Sequence, residues 1–89
     1  FMMIEAMADA AVKLGIPRDK AYVLAAHTVA GSAEMVLETK KHPAELKDMV
    51  CSPAGTTIDA VEALEQHGFR AALMDAMTKC AEKSKKLGK

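Results

Sequence analysis

Apolar residues recur along this chain at steps of three and four, and no stretch alternates apolar with polar. That spacing is the period of a helix. The opening stretch, FMMIEAMADAAVKL, sets Glu5, Asp9 and Lys13 four apart as one narrow polar strip. Met3, Ile4, Met7, Ala8, Ala11 and Leu14 fill much of the remaining circumference, so this helix is expected to be buried on more than one side. Gly15 reads as its C-terminal stop, and Pro17 as the first turn of the next helix.

The second helix is predicted from about Pro17 to Thr39, roughly 33 Å at 1.5 Å per residue. Val23, Leu24, Ala25, Ala26, Val29, Ala30, Ala33, Val36 and Leu37 cover most of its surface. It therefore reads as a central helix enclosed by neighbours, a second subunit among the candidates. Gly31 lies in its middle, where glycine costs about 1 kcal/mol against alanine, and points to close packing there. KHPAELKDMV gives a short third helix beginning at Pro43, with Leu46, Met49 and Val50 on its apolar side. TTIDAVEALEQHG gives a fourth, with Ile58, Val61 and Leu64 on one face and Gly68 as its stop. A fifth begins near Phe69, where Phe69, Ala72, Leu73, Ala76, Met77, Cys80 and Leu87 share the helical steps. The chain reads as one all-α domain over residues 1–89, with five helices and short connections.

Composition changes this picture in one respect. Apolar residues make up 51% of the 89, yet aromatics only 3%. So short a chain is marginal for a single core, and its core is expected to be shared with a second copy or another part of the protein. The chain also enters its helical pattern at Phe1 with no capping residue, as a piece of a longer protein would.

Charge and thiols narrow the function classes. Twelve Lys and Arg balance twelve Asp and Glu, which argues against a nucleic-acid partner, since that binding rests on a basic face. The one basic cluster, KCAEKSKKLGK, suits the negative end of a helix dipole. Cys51 and Cys80 are too few for a disulfide framework and read as free thiols of a reducing compartment, the cytoplasm. No apolar run reaches the roughly eighteen residues of a membrane-spanning helix, and no signal peptide is recognisable. No metal site is expected. His27 reads as a core or interface histidine, His42 as a cap for the helix at Pro43, and His67 as a helix-end residue.

One stretch interrupts the helices: CSPAGTTID, residues 51–59. Pro53 biases Ser52 toward extended backbone, and Gly55 admits a positive φ or a close approach. Thr56 reads as the N-cap of the fourth helix, with Asp59 completing a capping-box-like pair. That assignment leaves the Thr57 hydroxyl free. Amide hydrogens near residues 55–58 then make an anion site favoured by the helix dipole, with Ser52 as a further donor. Capping alone also accounts for Thr and Asp here, so a purely structural helical dimerisation module stands as the alternative.

SPAGTTIDAVEALEQHGFR resembles the signature of Δ1-pyrroline-5-carboxylate reductases, usually Ser-Pro-Gly-Gly-Thr-Thr-Ile followed by Leu-Glu and Gly-Phe-Arg. EAMADAAVKLGIPRDKA, VAGSAEMVLET and KHPAELKDMVCSP are also similar to the C-terminal domain of that family, so the likeness covers nearly the whole chain. It implies an interlocked helical dimerisation domain of the 6-phosphogluconate-dehydrogenase C-terminal type, in a homodimer or a larger assembly of dimers. It implies an enzyme that reduces 1-pyrroline-5-carboxylate to L-proline, the last step of proline biosynthesis. The cofactor, NADPH or NADH, would be bound mainly by an N-terminal Rossmann domain absent here. The resemblance assigns the substrate carboxylate to Ser52, Gly55, Thr56 and Thr57, a pocket wall to Val50, and help in protonating the ring nitrogen to Thr57. Ala54 departs from the family's usual glycine and adds strain if the position needs φ > 0. Lys40 stands where some relatives carry an acidic residue, and no role is assigned to it. The chain alone is expected to be inactive, because it holds no phosphate-binding glycine loop.

Overall fold

The computed structural model describes residues 1–88 and contains five helices. They are α1 (Met2–Lys13), α2 (Arg18–Thr39), α3 (Pro43–Val50), α4 (Thr56–Gln66) and α5 (Phe69–Lys86). No strand occurs among the described residues, so the all-α expectation holds. The chain divides into two compact units, the first spanning Phe1–Leu46 and the second beginning at Lys47.

In the first unit α1 packs along the N-terminal half of α2. The turn between them follows from Gly15, whose φ of +107° suits glycine far better than any other residue. There the Ile16 N–H donates to Ala11 O at 3.0 Å and the Gly15 N–H to Val12 O at 3.0 Å. These two bonds form the Schellman closure of a helix end. Pro17 is the N-cap of α2, with ψ 142°, rather than its first helical residue. Arg18 donates to the carboxylate of Asp9 and so ties the start of α2 back to α1. That bond raises the Arg18 pKa above its ordinary value. The guanidinium also lies 5.7 Å from the centre of the Tyr22 ring.

Three alanines are the whole buried interior of the described residues: Ala8, Ala21 and Ala25. Ile4, Met7, Ala11, Val12 and Ile16 pack around them. Two sequence expectations are not met by this chain alone. Within this chain α1 is covered on one face, not several; Leu14 is 85% exposed. Nor is α2 enclosed: Val23, Leu24, Met35 and Leu37 are exposed, and only Ala21 and Ala25 are buried. A Cβ added at Gly31 would meet nothing within 4 Å. His27 is likewise exposed, so it is no core residue of this chain. The pattern identified apolar surface correctly but not what covers it.

The second unit holds α4, α5 and the last turn of α3. Helix α3 itself starts as expected at Pro43, and His42 Nδ1 accepts the Ala44 N–H at 3.0 Å. Helix α4 ends at Gln66 with His67 as its C-cap, and Gly68, with φ +69°, turns the chain into α5. The Arg70 Nε donates to Glu65 Oε1 at 3.0 Å across that corner. Such an exposed pair contributes at most about 1 kcal/mol. Helices α3 and α4 are joined by a tight turn in which the Gly55 N–H donates to Ser52 O at 3.0 Å. Pro53 fixes φ at its second position and Ala54 takes φ +56° at its third. A positive φ after proline is the pattern of a type II turn, whose third position favours glycine.

Two stability changes follow. Ala21→Leu overfills the α1–α2 contact and is expected to lower the unfolding free energy by about 1–3 kcal/mol, read as a lower urea midpoint. Ala54→Gly relieves the left-handed alanine and should raise it by about 1 kcal/mol. An unchanged or lower midpoint for Ala54→Gly would show that the turn does not hold this conformation in solution.

Candidate functional site

The sequence-predicted residues fall at one corner of the second unit. Val50 ends α3, Cys51–Gly55 make the turn, and Thr56 and Thr57 open α4. Ser52, Pro53, Ala54 and Thr56 are exposed, while Cys51, Gly55 and Thr57 are half-buried. Val50 is 60% exposed. The corner is thus open rather than packed beneath side chains, which a ligand role requires.

The capping assignment is corrected. Gly55, not Thr56, is the N-cap, with φ −82° and ψ 174°, and no side chain caps the helix. Thr56 already lies within α4 as its first residue. A side chain there is past the position from which an N-cap reaches the second or third amide. Asp59 stays in the first turn, where its charge suits the dipole, but it completes no capping box. The argument that capping singles out Thr57 therefore fails, since neither threonine hydroxyl caps. Burial separates them instead, Thr57 being half-buried and Thr56 exposed.

The amide donors also shift. Gly55 uses its N–H on Ser52 O inside the turn. The first amides of a helix have no partner within it, so the donors of this corner are those of Thr56, Thr57 and Ile58. Ser52 contributes a hydroxyl beside them. Its Oγ lies against Gly55, too close to leave room for a Cβ there. Sequence reasoning missed this relation between Ser52 and Gly55. Its signal was present, because Ser-Pro-x-Gly with proline second is a four-residue turn closed by a bond from the fourth amide to the first carbonyl. Chemically, the first amides of a helix, a hydroxyl and the positive end of a helix dipole are groups that can receive a small anion. Thr57 adds a second hydroxyl that can donate to an atom next to that anion.

Elsewhere in the second unit, Val61, Leu64, Phe69 and Leu73 line an apolar groove of about 270 Å³, with Lys47, Glu65 and Arg70 also lining it. None of the predicted site residues lines it. Cys51 and Cys80 are free thiols. No group of His, Cys, Asp and Glu among the described residues is arranged to hold a metal ion. No described helix is long and apolar enough to cross a membrane.

Comparison with known proteins gives a concordant result. Residues 1–87 match the family described as pyrroline-5-carboxylate reductase dimerisation. The chain is 68% identical over 89 residues to the pyrroline-5-carboxylate reductase of Escherichia coli (strain K12), covering 100% of this chain and 33% of that protein. Against the reductase of Methanosarcina acetivorans the identity is 58% over 89 residues, again covering 33% of the relative. The crystal structure of a Plasmodium falciparum pyrroline carboxylate reductase with NADP bound superposes with a TM-score of 0.92 at 36% identity, over 99% of this chain and 34% of that one. The chain therefore spans about a third of the length of these relatives. Five helices in this order, with the Ser-Pro-x-Gly-Thr-Thr corner at the start of the fourth, complete the agreement: the chain belongs to the pyrroline-5-carboxylate reductase dimerisation family.

Proposed function

We propose that this chain is the dimerisation and substrate-holding domain of a pyrroline-5-carboxylate reductase, which reduces 1-pyrroline-5-carboxylate to L-proline with NADPH or NADH. The observation that carries this reading is the 68% identity to a reductase of that name across the entire chain. The open, uncapped start of α4 supports the substrate role.

The described residues do not fit a nicotinamide dinucleotide. They contain no strand, and none of their glycines stands in a strand-to-helix turn where amides cradle a pyrophosphate. No hydride step is therefore assigned to them, and the dinucleotide is bound mainly by the N-terminal part of the full-length protein. This chain's share is binding and orientation. The amides of Thr56, Thr57 and Ile58 and the Ser52 hydroxyl hold the substrate carboxylate. The Thr57 hydroxyl donates to the ring nitrogen and helps to deliver its proton, while Val50 walls the pocket. Gly55 forms the turn beneath them.

The assembly is a homodimer, built on by the full-length protein into larger assemblies of dimers where those form. The support is the interior: three small alanines leave the apolar faces of α2 and α5 without cover, Leu37 at 76% and Met77 at 74% exposure. A second copy of the chain covers them. The two free thiols agree with the cytoplasm as its compartment.

In the full-length protein, Thr57→Ala is expected to lower kcat about 10–1000-fold, the range for a lost positioned donor. Near-normal turnover removes Thr57 from the mechanism. Ser52→Ala is expected mainly to raise KM for pyrroline-5-carboxylate, and an unchanged KM counts against its carboxylate role. Light scattering should give an even number of subunits, and the urea midpoint should rise with protein concentration, because association favours the folded state by mass action. A monomer with a concentration-independent midpoint would overturn the dimer.

A further inference from the structure

Gly55 is a glycine for an unusual reason. Its φ of −82° is open to every residue type, so backbone conformation does not demand glycine there. Space does. A Cβ at this position would land on Ser52 Oγ, 3.1 Å from Ser52 O and 3.6 Å from Ser52 Cβ. At Gly15, Gly31, Gly68 and Gly88 a Cβ would meet nothing within 4 Å. Gly55 is thus the one glycine of the described residues whose missing side chain is occupied by another group, and that group is the Ser52 hydroxyl.

We infer that Gly55 is a positioning residue for Ser52. By carrying no side chain it lets Oγ stand at the start of α4, where the proposed function needs a donor to the substrate carboxylate. The inference rests on that proposed function. It also separates Gly55 from its two neighbours: its amide is engaged by Ser52 O, so it acts through the serine and not on the ligand. The response to an added methyl follows from what each atom can do. Oγ leaves by rotation about a single bond, whereas the carbonyl moves only with the turn. At 3.1 Å the carbonyl needs to give by a few tenths of an ångström. Gly55→Ala therefore turns Oγ away and leaves the turn and α4 in place.

The test is a cycle of three variants of the full-length protein, Ser52→Ala, Gly55→Ala and both together, assayed with pyrroline-5-carboxylate. Ser52→Ala is expected to raise KM about tenfold or more, the scale of a hydrogen bond to a charged group. Gly55→Ala should raise KM to a similar extent with kcat within about twofold, and the double variant should be no worse than Ser52→Ala alone. If Ser52→Ala raises KM but Gly55→Ala does not, or if the two effects multiply, the positioning role is overturned while the carboxylate role of Ser52 stands. An unchanged KM in Ser52→Ala overturns that role and this inference with it. Should Gly55→Ala alone fail to fold, adding Ser52→Ala is expected to restore folding, because removing Oγ empties the space. A double variant that also fails to fold overturns the inference.

Discussion

Helices that meet along alanine bring their backbones close but remove little apolar surface from water. That trade governs this chain. Ala8, Ala21 and Ala25 close the contact between α1 and α2, and burying a methyl contributes far less than burying a leucine or phenylalanine side chain. Among the described residues no large side chain is fully buried. The chain entropy lost on ordering each residue is about 1–2 kcal/mol, so alanine contacts of this kind do not hold 89 residues folded alone. The exposed apolar faces of α2 and α5 are therefore better understood as half of a core than as surface.

The corner between α3 and α4 obeys a different logic, set by local geometry rather than by packing. Proline fixes one position of the turn, a left-handed alanine takes the next, and the Gly55 amide closes the loop on Ser52 O. Each of these is decided within four residues. The result keeps the first amides of α4 uncapped, with a hydroxyl held beside them. A side-chain cap would have satisfied one of those donors and removed it from use. Leaving them uncapped costs some helix stability and keeps them available for the carboxylate of the proposed function.

Family membership and physical reading meet at these two places. A dimerisation family accounts for apolar faces that this chain does not cover. A reductase signature accounts for a turn that a bundle of helices needs only as a connection. Ala54 is the point of tension, since its φ of +56° lies in the left-handed region that favours glycine.

The number and nature of the helices were legible in the sequence, because a helix writes its period into a dozen consecutive residues. Gly15 and Gly68 marked their joints for the same local reason: a positive φ favours glycine. The candidate site residues stood out as a motif, and Ala54 was marked as strained if its position needs a positive φ, which it takes. What the sequence left undetermined was everything that depends on a partner across space. It read α2 as a helix enclosed by neighbours, with a second subunit among the candidates, but did not show that this chain itself buries only Ala21 and Ala25 of it. It read Thr56 as the cap, whereas the extended Gly55 enters the helix one residue earlier and changes which donors are free. It held the Ser-Pro-x-Gly turn that brings Ser52 to Gly55, but not where Ser52 Oγ comes to rest, against the space of the missing Gly55 side chain. Periodicity and turn chemistry belong to neighbouring residues and can be read in order along the chain; burial, capping and the occupant of an empty space belong to atoms brought together by folding, and only the tertiary structure decides them.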